Sequence, residues 1–169
     1  MDSVKGKKVD RMVVYALEAI KAIEALENNN NVKIGFEELY KEAQEWMSFI
    51  LSAGLVSTVF FKFSKAKVDN NKQPNKEFII SFLVYQLMAE DELLDKSEDD
   101  LLDELKEKLD RAIEHKSIFD DRDEFLNVVR QIASLDTGMI KTRKVMTFLQ
   151  HFTRLAKVLA NSGGNTGNE

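Results

Sequence analysis

The sequence predicts an all-α fold, a single-domain bundle of about six to seven helices. The chain has 169 residues, of which 44% are hydrophobic and only one is proline, Pro74. A proline inside a helix costs about 3 kcal/mol, so a chain that nearly lacks proline and is rich in Leu, Lys, Glu and Ala favours helices. Apolar residues also recur at the three-and-four spacing of buried helix faces. We expect a helical domain over residues 1–160 and a disordered tail over the glycine-containing residues 161–169.

Two helices are predicted on either side of an asparagine-rich loop. The apolar stripe of the first consists of Val9, Met12, Val13, Ala16, Leu17, Ile20 and Ile23. We expect this helix to end near Glu27, because the asparagines of residues 28–31 compete for backbone groups and favour a turn. A second amphipathic helix covers residues 36–51. Gly54 then interrupts the pattern as a helix-ending glycine does, and a further helix restarts by Leu55.

Residues 55–67 contain more apolar side chains than one helix face can hold. At 100° per residue, one stripe is formed by Leu55, Val59, Phe60, Phe63 and Ala66. Phe61 points away from that stripe. In the simpler interpretation another helix of the same domain covers Phe61. In the alternative Phe61 contacts another protein, since exposed aromatics often anchor interfaces.

Four further helices complete the predicted bundle. A polar loop over residues 67–76 precedes a largely buried helix over residues 78–94. Ser97 and the acids after it predict a capped start for the next helix, which continues to Ile113 with pairs such as Glu104 and Lys108. Another helix begins at residues 120–123 and ends at residues 136–138. The last, over residues 140–160, has a core stripe of Val145, Phe148, Leu149, Phe152, Leu155, Ala156 and Leu159.

The net charge of -5 is unevenly distributed along the chain. Residues 91–124 contain 15 acids and 6 bases, a local charge of -9, so the rest of the chain carries +4. Two regions are basic: residues 56–76, with five lysines against one aspartate, and residues 137–168, with five bases and no acid. A polyanion could bind these regions, because charges more than about 8 Å apart are largely screened at physiological salt. The simpler alternative is that both are ordinary solvated helix faces.

The last predicted helix has a polar strip opposite its core stripe. Within about 40° of one line on the helical wheel lie Arg143, Thr147, Gln150, Arg154 and Lys157. No acid interrupts the strip.

The sequence contains no motif for catalysis, a metal or a cofactor. There is no cysteine, and neither His115 nor His151 has a partner at metal-ligand spacing, so we expect no metal site. The sequence also lacks a Gly-rich phosphate loop, a nucleophile elbow and a Ser-x-x-Lys motif. We expect no enzyme activity, no cofactor and no small-molecule substrate. The polar N-terminus shows no signal peptide, and the longest nearly uncharged stretch falls short of the ~20 residues a bilayer needs. We therefore expect a cytoplasmic protein without a membrane partner.

Two segments resemble the small helical subunit of the type III-B (Cmr) CRISPR RNA-guided effector complex. The first is ILSAGLVSTVFFKFSKA, residues 50–66, preceded by Lys41 and Ala43, and the second is TRKVMTFLQHFTRLAKVLA, residues 142–160. Both are packing patterns rather than catalytic signatures, and together they cover about a fifth of the chain. The sequence departs from the family at Ala53, His151 and Thr153, where the family usually has Asn, an aromatic Trp and the first of two arginines.

The resemblance implies a non-catalytic subunit that stacks head to tail beside the backbone subunit. Its implied partners are other subunits of the complex, copies of itself, CRISPR RNA and target RNA. The residues expected to contact RNA are Arg143, Lys144, Gln150, Arg154, Lys157, Lys62, Lys65 and Arg11. Phe61 is the expected protein-interface residue. The alternative function is a helical adaptor that binds only proteins, with Phe61 and the acidic segment as its docking surfaces.

Overall fold

The fold was derived from a computed structural model, which describes residues 10–167 apart from the side chains of residue 30 and residues 163–167. Within that range the chain forms seven α-helices and no β-strand, so the all-α prediction is confirmed. The helices are α1 (Arg11–Asn30), α2 (Phe36–Ala53), α3 (Leu55–Lys65), α4 (Lys76–Ala89), α5 (Glu98–His115), α6 (Arg122–Ala133) and α7 (Leu135–Gly167). A short 3₁₀ helix, Leu93–Asp95, lies between α4 and α5.

The long helix α7 organises the bundle, because it packs along α2 and α1 and also contacts α6 and α4. The predicted stripe of α7 forms part of the core, with Val145, Phe148 and Phe152 fully buried. Tyr15 of α1 packs against this stripe, with its ring centroid 5.1 Å from that of Phe148, and Trp46 of α2 is buried in the same core. Helix α4 is buried on all sides over residues 78–88, as its apolar sequence predicts, but it ends at Ala89 and not at residue 94.

Several helix ends follow from local capping. Asp10, Asn75 and Ser97 accept hydrogen bonds from backbone N–H groups in the first turns of α1, α4 and α5. Such caps satisfy donors that have no partner within the helix. The prediction that α1 ends near Glu27 is wrong by three residues. The helix runs to Asn30, and Asn31 ends it in the left-handed conformation at φ 57°, which asparagine tolerates.

The prediction that residues 136–138 end α6 is also wrong. Helix α6 ends at Ala133, and after Ser134 the chain enters α7 at Leu135. The N–H of Gly138 donates to the carbonyl oxygen of Ser134, the residue at the break, at 2.9 Å. A Cβ on Gly138 would lie 2.4 Å from the backbone oxygen of Ile132. Glycine is therefore present here for close packing of α6 against α7, not for a turn.

The backbone of α7 remains helical to Gly167, seven residues beyond the predicted end at Ala160. Residues 168–169, and with them the last part of the predicted tail, lie outside the described residues. Glycine disfavours a helix by up to about 1 kcal/mol relative to alanine, so Gly163, Gly164 and Gly167 lower the helix propensity of this end. Disorder of the tail stays a prediction. Over the described residues, none of the helices combines the length and apolar character needed to cross a bilayer.

Candidate nucleic-acid interface

The acid-free strip of α7 faces solvent. Arg143, Gln150, Arg154 and Lys157 are exposed, and Thr147 is half-buried. Among residues 10–167, Arg143, Arg154 and Lys157 have no ion pair or hydrogen bond to a neighbouring side chain. At a rise of 1.5 Å per residue the strip extends about 21 Å along the helix axis. Its three positive charges are therefore available to a partner. We call Arg143, Thr147, Gln150, Arg154 and Lys157 together the basic strip.

Lys144 lies on a different flank of α7 and is half-buried. Burial lowers the pKa of Lys144, and the neighbouring charge of Lys141 lowers it further. Lys141 itself is buried: its Nζ donates to the carbonyl oxygen of Met88 at 2.8 Å and lies 2.6 Å from Oδ1 of Asp91. The hydrogen bond from Lys141 lowers the pKa of Asp91. Lys141, one of the five bases of residues 137–168, therefore connects α7 to the end of α4 and is not available to a partner.

Arg11 does not present a free guanidinium, contrary to the prediction. Its Nε donates to the carbonyl oxygen of Leu94 at 2.6 Å, and its Nη2 donates to that of Lys96. Both acceptors belong to the 3₁₀ segment and the turn before α5. Arg11 therefore holds this turn against the start of α1, because a guanidinium is well suited to satisfy two carbonyls at once.

Lys62 is fully buried, so its prediction as an RNA contact is wrong. Its Nζ lies 3.0 Å from Oε2 of Glu42, which is equally buried, and it also pairs with Glu45. Burial raises the pKa of Glu42, and the hydrogen bond and charge of Lys62 partly offset this effect. The helical wheel contains a signal for this arrangement, since Lys62 lies seven residues and about 20° from Leu55, in the middle of the buried face of α3.

Phe61 is covered by another helix only in part, by Phe49 of α2, so the interpretation that a neighbouring helix buries it does not hold in full. Its side chain is 40% exposed, and Phe60, which the stripe places in the core, is 52% exposed. The ring of Phe61 lies 5.0 Å from that of Phe49, between centroids, and both rings lie within 6 Å of the Lys62 ammonium. Lys65 is exposed, as predicted, and its Nζ lies 5.1 Å from the Phe61 ring centroid. Phe49 and Phe61 thus shield Lys62 from water.

The acids of α5 and the turn before it form a network with lysines. Lys108 contacts Glu90 and Glu104 at 3.1 and 2.9 Å, and Lys96 contacts Glu104 at 3.1 Å. Burial raises the pKa of Glu90, and the hydrogen bond it shares with Glu104 raises it further. Burial acts in the same direction on Glu104, but hydrogen bonds from Glu90 and both lysines outweigh it and lower its pKa to about 2. The predicted Glu104–Lys108 pair is confirmed.

The sequence pattern missed a cleft between α4 and α5. Its volume is about 800 Å³, and it is lined by Tyr85 and Gln86 of α4, by acids of α5 and by the segment before α6. Nothing in the chain around Gln86 distinguishes it from other core positions, because residues 78–88 form one apolar run. The cleft depends on the spacing of two helices that no local pattern specifies.

The two histidines occupy ordinary positions. His115 is the last residue of α5 and is exposed, while Nε2 of the half-buried His151 lies 3.7 Å from Oδ2 of Asp10. Within residues 10–167 no three His, Asp or Glu side chains converge in a way that could hold a metal ion.

No protein-family model, curated protein or solved structure matches this chain.

Proposed function

We propose that this protein is a non-catalytic subunit of a type III-B CRISPR RNA-guided complex and that its basic strip follows the RNA backbone. The observation that carries the proposal is the exposure of Arg143, Arg154 and Lys157 on one face of α7 without carboxylate partners among the described residues. Each cation that neutralises a phosphate releases a condensed counterion, which favours binding to any nucleic-acid sequence. The type of complex is proposed because residues 50–66 and 142–160 resemble the small helical subunit of the Cmr complex.

The chemistry of the strip suits a subunit that does not read bases. In RNA-guided complexes base pairing selects the target, so a protein that lines the duplex needs only backbone contacts. The strip offers cations, and the amide of Gln150 adds a hydrogen-bonding group that can contact a phosphate or a 2′-hydroxyl. Lys65 provides a further exposed cation on α3. Lys62 and Arg11 are excluded from the proposal because their charges are already engaged.

The proposed protein partners are the backbone subunit and further copies of this chain. Head-to-tail stacking joins two different surfaces of one subunit, so complementary charge on those surfaces favours it. Residues 91–124 supply the negative surface. Phe60 and Phe61 form an exposed aromatic surface beside Lys65, which suits contact with a neighbouring subunit.

The first experiment measures RNA binding by the isolated protein. Fluorescence anisotropy is recorded with labelled oligouridine and with a mixed-sequence strand of equal length, at salt concentrations from about 50 to about 200 mM. We expect weak binding that is similar for both strands and is strongly reduced in the variant Arg143→Glu/Arg154→Glu/Lys157→Glu. Removal of three contacts should reduce the salt slope by about 2, since each phosphate contact to a single strand contributes about 0.7.

A matched control separates the strip from net charge. The variant Lys33→Glu/Arg122→Glu/Arg130→Glu makes the same change in charge at exposed positions outside α7. We expect it to retain most of the binding and the wild-type salt slope. Equal losses in the two triple variants, or unchanged RNA capture by an assembled complex carrying the strip variant, would show that the strip is not the RNA surface.

The second candidate function is a helical adaptor that binds only proteins. The observation that favours it is the exposure of large apolar side chains on two consecutive helices, Leu51 of α2 at 79% and Phe60 and Phe61 of α3 at 52% and 40%. Co-purification from the native host separates the two functions. A preparation that contains CRISPR RNA and backbone subunits supports the first, and a defined partner preparation free of RNA supports the second.

A further inference from the structure

The cleft between α4 and α5 has the dimensions of a binding site. Its volume of about 800 Å³ lies within the range of pockets that hold drug-sized ligands. One wall is α4, the other is α5, and the segment before α6 closes one end. The cleft is separate from the basic strip, since no residue of α7 lines it.

The floor of the cleft is aromatic. Phe82 and Tyr85 of α4 and Phe119 of the segment before α6 line it, and the ring centroids of Tyr85 and Phe119 are 5.9 Å apart. The Tyr85 hydroxyl is occupied, because it donates to Oε1 of Glu124 at 2.7 Å. Phe82 and Tyr85 are themselves buried, so the ring open to a ligand is that of the half-buried Phe119, which stacks on Phe125 at 4.4 Å between centroids. The exposed part of Phe119 provides apolar surface and a negative quadrupole, which attracts cations.

The rim of the cleft carries an excess of negative charge. Seven acidic and two basic residues line it. Both bases are engaged by cleft acids, Lys108 with Glu90 and Glu104, and Arg111 with Asp120 at 3.2 Å. Asp103 and Glu107 lie one turn apart on α5, both exposed, and have no partner among the described side chains. They are available to a cation from outside.

Gln86 supplies an independent indication of a ligand. It is only 7% exposed, its side chain lines the cleft, and within residues 10–167 its amide has no hydrogen-bond partner. The amide atoms of Gln86 are not fully enclosed, so they face the open space of the cleft, where water or a ligand can reach them. A polar group that enters the cleft would satisfy the Gln86 carbonyl oxygen, which needs a donor.

From these features we infer that the cleft binds an arginine side chain carried on a basic segment of a partner protein. A guanidinium can pack on the exposed part of the Phe119 ring, fork onto carboxylates and donate to an amide oxygen at the same time. The ammonium of lysine lacks the planar face and the fork. The cleft is too large for one side chain alone and too negative for a phosphate, so a short peptide segment is the occupant that fits. This inference does not depend on RNA binding by α7.

The test uses a fluorescein-labelled peptide in which arginine and glycine alternate, with the full-length protein at about 0.15 M salt. We expect saturable binding by anisotropy, several-fold weaker binding of the lysine counterpart and none of the citrulline counterpart. The variant Asp103→Asn/Glu107→Gln should weaken binding about tenfold, the loss typical of a charge-assisted contact. Both residues are exposed, so the fold should tolerate the change. Gln86→Met removes the amide and should also weaken binding, with helical content checked by circular dichroism.

The matched control is Glu98→Gln/Glu114→Gln, which removes two exposed carboxylates from the same helix outside the cleft. It should change peptide affinity by less than twofold. Equal weakening by both double variants, absence of binding to the wild-type protein, or cleft-dependent binding of spermine as tight as that of the arginine peptide would overturn the inference. The strip variant Arg143→Glu/Arg154→Glu/Lys157→Glu should leave peptide binding intact, so failure of this inference is distinguishable from failure of the RNA proposal.

Discussion

Helices α3 and α7 both carry basic residues in an otherwise apolar context, but they use them in opposite ways. On α7 the cations Arg143, Arg154 and Lys157 lie opposite a buried stripe and have no partner among the described residues. On α3 the cation Lys62 lies within the buried face and pairs with Glu42 and Glu45 of α2. A local excess of bases therefore does not establish a binding surface. The position of each base on the helical wheel decides between the two roles.

The largest expected effect tests the structural role of Lys62. Replacement of Lys62 by methionine removes the cation and leaves the buried Glu42 carboxylate without compensation, which typically costs about 3–5 kcal/mol. Lys65→Met, three residues away and exposed, should change the free energy of unfolding by less than about 0.5 kcal/mol. Urea unfolding measured by circular dichroism gives both values. Similar small losses in the two variants would show that Lys62 is not a buried ion-pair partner.

The stability lost in Lys62→Met should depend on pH in a defined way. Burial holds the pKa of Glu42 above its unfolded value, and without Lys62 the pKa rises further. A carboxyl whose folded pKa is raised makes its favourable contribution below the unfolded pKa of about 4.3 and loses it as pH rises through the folded pKa. The stability gap between Lys62→Met and the wild type should therefore be largest at neutral pH and smallest below about pH 4. The double variant Glu42→Met/Lys62→Met should recover much of the loss, since it buries no charge.

Local sequence predicted the parts of the fold that depend on a single helix. The stripe of α7, the Ser97 cap of α5, the break at Gly54 and the apolar run of α4 are each specified by the residues of one element. Two predicted helix ends were misplaced. The turn-forming residues 28–31 did not end α1 at Glu27, because the helix continues to its cap at Asn31. Residues 136–138 did not end α6, because Gly138 lies inside α7 and allows close packing of α6 against α7.

In the candidate site too, features set by one helix could be predicted and features set by contacts between helices could not. The basic strip follows from periodicity, so its exposure could be predicted. The partners of Lys62 lie 17 and 20 residues earlier in the chain, on α2, and the acceptors of Arg11 lie more than 80 residues later. The cleft depends on the distance between α4 and α5. These features are products of tertiary packing, and the sequence of either helix alone does not contain them.

A second, smaller effect concerns the two predicted RNA contacts Arg11 and Arg154. Arg11→Met removes hydrogen bonds from a charged group to the carbonyls of Leu94 and Lys96, which contribute about 1.5–3 kcal/mol. We expect a loss of that size in the free energy of unfolding, with RNA affinity unchanged. Arg154→Met should do the opposite, with less than about 0.5 kcal/mol of stability lost and weaker RNA binding. Anisotropy and urea unfolding on the same preparations measure both. If both variants lose stability and RNA affinity to the same extent, Arg11 and Arg154 do not have different roles.

The smallest expected effect on stability comes from placing one acid in the basic strip. In Gln150→Glu the new carboxylate lies four residues before Arg154, the favourable orientation for a helix ion pair, so stability should rise by about 0.3–0.5 kcal/mol. The same pair occupies Arg154 and adds a negative charge beside the proposed path of the phosphates. RNA affinity should therefore fall at about 50 mM salt, and the difference from the wild type should shrink toward 200 mM.

Gln44→Glu on α2 is the matched control, because it makes the same substitution at an exposed position outside the strip. It should leave RNA affinity within the error of the wild type at both salt concentrations. If Gln44→Glu and Gln150→Glu weaken RNA binding equally, the loss reflects net charge alone. If only Gln150→Glu weakens it while stability is maintained, the absence of acids from this face of α7 is what keeps Arg154 available to a polyanion, in contrast to Lys62, whose acids are already in place.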